Sequence, residues 1–384
     1  DYLREEGTAL PFIQQFIYRK SIIEGIDWVM NLFEILKTHG FNDKQLAAIF
    51  VPIQQSRRVW DFIENTNVEI QRSYWEQIYP HFWDMAIEDR LYGIDKLIEV
   101  NRFISALDIC HHNSSELSSA KLIEVLEKTA TNFSKEARRF ESYNATEIIE
   151  NLETREDIQR DVLIRIEWLY LPFLASFGSI HKPNLLHEEL ANNPEFLIDV
   201  LKLVYKSDIE EEGFEDPTDD YSRTRARNAY DLLSSWKRIP GVDASGKIDE
   251  DFLWNWITKV RELASKNGRL QIADMQIGQI IAEYPEDIDI WPPEEFCKVI
   301  ETINTASLIS GFSTATFNKR GSSSRGPFDG GTIERGHAEF FHLKAKKINY
   351  TFPKTSEILT QIAIVFEKDA KMMDDMAERD KLEY

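Results

Sequence analysis

Residues 318–336, NKRGSSSRGPFDGGTIERG, set three serines and five glycines among four basic side chains. Glycine permits positive φ and close approach of backbone N–H groups to an anion, and an arginine fork can grip a carboxylate or phosphate with two parallel hydrogen bonds. A helix beginning near Thr332 would add its free N-terminal N–H groups. Lys319, Arg320, Arg325 and Arg335 are therefore the candidate binding residues for an anion or an acidic partner segment, and Lys344, Lys346 and Lys347 would extend the patch. The same arginines can instead pair internally, with Asp329 and Glu334 close in sequence, and this structural reading is the stronger of the two. The loop does not end in the Gly-Lys-Ser/Thr of a nucleotide P-loop, and no parallel-sheet pattern surrounds it, which argues against nucleotide hydrolysis.

Other reactive side chains form no convincing constellation. Cys110, His111 and His112 are consecutive, so on a helix end they point in different directions and cannot converge on one metal. His187 opens HEEL without the second histidine four residues on that a zinc-protease helix needs, and His337 and His342 share a helix face poorly. With 66 Asp and Glu, a chance match to acid and base geometry is expected, and no Gly-x-Ser-x-Gly elbow occurs. The expectation is a protein without catalytic residues, metal or cofactor.

Net charge is −21, yet Lys319 to Lys354 hold eight basic and three acidic residues, a local +5 against −26 for the remainder. Such an acidic chain repels polyanions, so nucleic acid is not the expected partner; a protein or a covalently linked effector domain is. Two distant cysteines suggest no disulfide framework and point to a reducing, cytoplasmic setting. No apolar run of about 18 residues could span a membrane, and DYLREEGTAL lacks the pattern of a secretory signal. The first residue is Asp1 rather than methionine, as expected of a fragment or a processed product.

What must position these residues is helical. Ile22, Ile23, Ile26, Val29, Leu32, Phe33 and Leu36 recur at helical spacing, and Gly40 follows as a stop. Leu122 to Leu126 after Ser118, and Phe196 to Val204 after Asn193 and Pro194, repeat the pattern with capping residues in place. Further starts are read at Asp43, at Asn144 with Glu147, and at Pro293 with Glu294 and Glu295. INYTF at 348–352 is the one strand candidate. The aromatic clusters YWEQIYPHFW (74–83) and EWLYLPF (167–173) are read chiefly as helix-packing cores. The predicted fold is all-α: an irregular, solenoid-like helical-repeat array of antiparallel helix pairs in two lobes. Residues 208–220, DIEEEGFEDPTDD, carry eight acids and no base. They are read as a connector between an N-terminal lobe (1–207) and a C-terminal lobe (221–384) that holds the 318–336 loop.

Several stretches, NNPEFLIDVLKLVY, SSWKRIPGVDASGKID, IADMQIGQIIAEYPEDIDIWP, FNKRGSSSRGPFDGGTIERGHAEFF, FPKTSEIL and FEKDAKMMDD, resemble the C-terminal helical region of large multidomain bacterial proteins of mostly unassigned function. Some of those proteins resemble antiphage sensors. The resemblance covers roughly residues 160 to 380. At the loop it rests on Arg320, Gly321, Arg325, Gly326, Gly330, Gly331, Glu334 and Arg335. It implies a helical region accompanying other modules and supplies no catalytic residue. The expected function is a non-enzymatic helical scaffold or sensor that mediates protein recognition. The competing reading is an anion- or nucleotide-responsive module, or an enzyme, with its site in the 318–336 loop.

Overall fold

The computed structural model describes residues 10–132, 142–174, 182–209, 220–321, 326 and 329–383. Among them lie nineteen helices and no strand, apart from one isolated bridge between Val242 and Ile248, so the fold is all-α as expected. INYTF does not extend: Ile348 ends a helix, and the Phe352 N–H donates to the Ile348 carbonyl at 2.7 Å to close the turn before the next one. The chain divides into two units, Asp1–Leu174 and Ala175–Tyr384.

The first unit contains α1 (Leu10–Glu24), α2 (Ile26–Thr38), α3 (Asp43–Ala48), α4 (Arg57–Glu64), α5 (Val68–Gln77), α6 (Ile87–Glu99), α7 (Phe103–His112), α8 (Ser119–Ala130), α9 (Ser142–Glu153) and α10 (Arg160–Leu174). Each packs against helices one or two places away in the chain, the local pattern of a helical array. The apolar series from Ile22 to Leu36 is not one helix. Gly25 adopts φ 81°, a value open to glycine, and it caps the start of α2. Val29 and Phe33 of α2 are consequently buried while Ile22 and Ile23 of α1 face solvent.

Local capping chemistry explains several boundaries. Asn42 accepts from the Gln45 N–H while the Gln45 side chain accepts from the Asn42 N–H, a reciprocal box that starts α3. Ser118 caps α8. Asn144 is not the cap its type suggested: it lies inside α9 and its amide donates to Asp108 at 2.8 Å. Of the 74–83 aromatics, Tyr74, Trp75 and Phe82 build core, with Trp60 packed on Trp75, Phe82 and Tyr92 and its Nε1 donating to the Tyr74 hydroxyl at 3.2 Å, whereas Tyr79 is exposed. Tyr170 of the second aromatic cluster is buried and donates to the Leu126 carbonyl at 3.0 Å.

The second unit contains α11 (Asn184–Asn192), α12 (Pro194–Val204), α13 (Asp220–Ser235), α14 (Glu250–Lys266), α15 (Leu270–Ala282), α16 (Glu294–Ile303), α17 (Ala306–Asn318), α18 (Thr332–Ile348) and α19 (Pro353–Glu383). Asn193 caps α12 with Pro194 in its first turn, and Pro293 precedes the acidic start of α16. The division between units falls at 174/175, and the acidic stretch expected to separate two lobes lies inside the second unit. The reason is physical: α12 buries Leu197, Ile198, Val200 and Leu201, and it packs on α13 and α14 at once. Beyond α12 the chain is also held, the Asp208 N–H donating to the Gly268 carbonyl at 2.7 Å and Ser207 Oγ to Asn267 at 3.2 Å. Residues 210–219, the centre of the expected connector, lie outside the described residues.

Two helix pairs dominate this unit, α15 with α17 and α18 with α19. The first is exceptionally close. A Cβ on Gly278 would sit 2.1 Å from the Leu308 carbonyl oxygen, and one on Gly311 would sit 2.1 Å from that of Met275, so backbone meets backbone at the crossing.

Candidate binding site

The loop residues singled out by type and spacing are placed as follows. Lys319 leaves the end of α17 and its Nζ donates to the Ala282 and Tyr284 carbonyls, each at 2.8 Å, with Glu286 at 3.3 Å. It thus covers the carbonyl end of α15, where a cation is favoured by the free C=O groups and the helix dipole. Its ammonium also lies 5.3 Å from the ring centre of buried Trp291. Arg320 pairs with Asp369 of α19 at 3.4 Å and lies over Phe317 at 4.2 Å. Arg335 donates to both carboxylate oxygens of Asp374, at 2.6 and 3.2 Å. Arg325 lies outside the described residues.

The acids that meet Arg320 and Arg335 are thus Asp369 and Asp374, both of α19. Asp329 turns back on its own loop and accepts from the Gly326 N–H at 2.7 Å, and Glu334 is buried in the first turn of α18. The loop instead meets α19. Asp374 accepts from the Gly331 N–H at 2.9 Å as well as from Arg335, and these donors hold its carboxyl below the usual range. The Gly330–Gly331 pair makes this approach possible: a Cβ on Gly331 would be 2.2 Å from the Ala370 carbonyl oxygen. Farther along α18, Lys347 pairs with Asp289 and Lys344 donates to the Ile288 carbonyl, while Lys346 is exposed.

The histidines do not converge. His337 stacks on Phe366 with ring centres 5.0 Å apart, His342 meets Glu367 at 3.0 Å, and His112 stacks on Trp83. Among the described residues no group of His, Cys, Asp and Glu could hold a metal ion. Burial pushes the thiols of Cys110 and Cys297 up to about 12, which leaves both as neutral core groups. No described helix is long and apolar enough to cross a membrane.

A cavity of about 530 Å³ lies beside Lys319, within the second unit. α15 contributes Met275, Gln276 and Gln279, with Glu283 capping its end; α13 contributes Tyr230 and Ser234, with Trp236 and Lys237 following its end; α17 contributes Thr314 and Asn318; Tyr205 comes from the end of α12. Gln276, Gln279 and Glu283 are spaced three and four residues apart, so one face of α15 presents all three to the space. Gln276 is only 4% exposed, and the indole Nε1 of Trp236 in the same wall is buried with no hydrogen-bond partner among the described residues. The side-chain amides of Gln279 and Asn318 also line the space. Burial first, and then neighbouring Tyr230, raise the Tyr205 phenol above its ordinary value.

Charge in this wall is already balanced. Lys237 pairs with Glu283 at 3.5 Å, and Lys319 is committed to Glu286 and two carbonyls. What remains is neutral hydrogen-bonding capacity between aromatic rings. Sequence reasoning missed this site because an isolated glutamine on a helix reads as solvent-facing. The available signal was the pair Gln276 and Gln279 on one face of LQIADMQIGQIIA, whose other residues are almost all apolar. No protein-family model, curated protein or solved structure matches the chain.

Proposed function

We propose that the chain is a non-enzymatic α-helical scaffold or sensor region that recognises another protein, or a covalently linked effector domain, within a larger bacterial defence-related protein of the cytoplasm. The observation that carries this reading is the internal commitment of Lys319, Arg320 and Arg335 to Glu286, Asp369 and Asp374. A loop whose described cations are so engaged acts as a tie between helices, and the reading of it as an anion or nucleotide site loses its main support. The strong negative charge that remains suits a partner with a basic face, and helical arrays offer broad surfaces for such contacts.

The test is affinity capture from bacterial lysate with the chain as bait at low and high salt, followed by reconstitution with the purified partner. A basic protein that binds stoichiometrically, with affinity falling as salt rises, is expected. Failure to reconstitute any partner at either salt would refute the scaffold reading. The loop-site reading is tested separately by the Arg320→Ala, Arg335→Ala double variant. Retention of partner binding and unchanged, negligible affinity for ATP and inorganic phosphate are expected; saturable phosphate binding abolished by the double variant would reinstate that reading.

A further inference from the structure

We infer that the cavity between α13, α15 and α17 binds a small, neutral, planar heterocycle of the nucleobase or nucleoside class, recognised by the carboxamides of Gln276 and Gln279. This goes beyond the scaffold reading and does not depend on it. A buried donor with no protein partner is an arrangement that folded proteins rarely keep without something to fill it. The Trp236 indole N–H is such a group, and with the buried Gln276 it lines a space whose volume of about 530 Å³ falls within the usual range for small-molecule pockets, roughly 300–1,000 Å³.

The chemistry of the wall selects the ligand class. A carboxamide offers a donor and an acceptor side by side, and this pair matches the adjacent acceptor and donor on the edge of a nucleobase. Gln279, one helical turn from Gln276, doubles that capacity, and Asn318 adds a third amide from α17. Tyr205, Tyr230 and Trp236 supply aromatic surface for a flat ring. Charge excludes the phosphorylated relatives: Lys237 and Lys319 are matched by Glu283 and Glu286, so a phosphate would enter a site with no uncommitted cation, in a chain of net charge −21.

The source of the base, free or within a strand, is separated by experiment. Adenosine, guanosine, cytidine and uridine, their 5′-monophosphates and a short single-stranded oligonucleotide are each titrated into the intact chain. Isothermal calorimetry reads binding, and tryptophan fluorescence provides a second readout because Trp236 is in the wall. One nucleoside is expected to bind saturably and more tightly than its monophosphate. Gln276→Met and Gln279→Met are each expected to weaken it by about tenfold or more, the loss of one bidentate amide contact. Neither substitution removes a protein hydrogen bond, so the ligand-free melting temperature should hold, and Asn318→Ala at the exposed rim provides a further variant if either core change impairs folding.

A monophosphate that outcompetes its nucleoside would overturn the neutral class. Binding of the oligonucleotide alone would assign the site to a strand and overturn the small-ligand inference. Absence of any saturable signal up to about 1 mM would overturn it outright. Affinity unchanged in the Gln276→Met, Gln279→Met double variant would place binding elsewhere.

Discussion

Replacing Gly278 by alanine should open the closest helix crossing in the protein. The added methyl carbon would lie 2.1 Å from the Leu308 carbonyl oxygen and 2.8 Å from the Phe312 nitrogen, far inside contact distance. Both obstacles are backbone atoms of α17, so no side chain can swing aside and the two helices must separate. Overpacking of a tight core costs about 1–3 kcal/mol, and the absence of a yielding neighbour places this change at the upper end. Alanine recovers about 1 kcal/mol of helix propensity relative to glycine, which leaves a net loss of about 2 kcal/mol. For a unit of this size that lowers the melting temperature by about 4–8 °C. Gly336 provides the opposite control: it lies inside α18 and a Cβ added there would meet nothing within 4 Å, so Gly336→Ala should raise the melting temperature by about 2–4 °C. Scanning calorimetry checks both, with hydrogen exchange assigning the transition to the second unit. Gly311→Ala acts on the same crossing, and combining it with Gly278→Ala should cost less than the two separate losses together, since the first separation relieves the second clash. A Gly278→Ala variant that melts within about 1 °C of the parent would refute the backbone contact.

Two further outcomes follow from buried titratable groups. His187 is buried beside Ser235, and burial first, with Lys182 second, holds its imidazole down to about 4 against an ordinary value near 6.5. The unfolded chain therefore binds the proton that the folded chain refuses, so stability is full above pH 6.5 and falls as pH drops towards 4, by about 3 kcal/mol from this residue. Urea titrations of the parent and of His187→Gln across this window should show the steeper loss in the parent; parallel curves would contradict the assignment. Cys110 and Cys297 are both fully buried with raised thiol pKa values, so a thiol-reactive disulfide reagent at pH 8 should label neither in the folded chain and both in guanidinium. Rapid labelling without denaturant would show that one of these cores opens readily.

The helical class was legible because apolar spacing, caps and stops agreed along most of the chain, as at Asn193–Pro194 and Ser118. Gly25 was less so. The residues around it keep helical spacing across the break, and only the backbone angle at glycine reveals that two helices share the series. The lobe boundary was misplaced because acidity marks solvent exposure rather than a change of core: α12 and α13 flank residues 210–219 and pack on each other. At the loop, Arg320 and Arg335 pair internally, and the acids they meet are remote in sequence. Asp369 and Asp374 lie far along the chain, in a separate helix, and local sequence cannot announce such long-range pairs. Gln276 was invisible for a different reason, since burial of a polar residue depends on what packs around it.

The concentration of positive charge in an acidic protein then has a structural cause. Lys319, Arg320, Arg335 and Lys347 meet Glu286, Asp369, Asp374 and Asp289 respectively, so the local +5 is the counter-charge for acids brought beside it by the fold. Partly exposed pairs of this kind add little to stability one by one. Their effect is geometric, because each of these four cations contacts one carboxylate, and Gly330 and Gly331 let the intervening backbone settle against α19. A ligand competing for this loop would have to displace ion pairs and move backbone, whereas a neutral ligand in the adjacent cavity would leave those pairs intact. On that comparison, binding at the second unit belongs with the cavity lined by the α15 amides, and the basic loop belongs to the framework that holds α17, α18 and α19 in place.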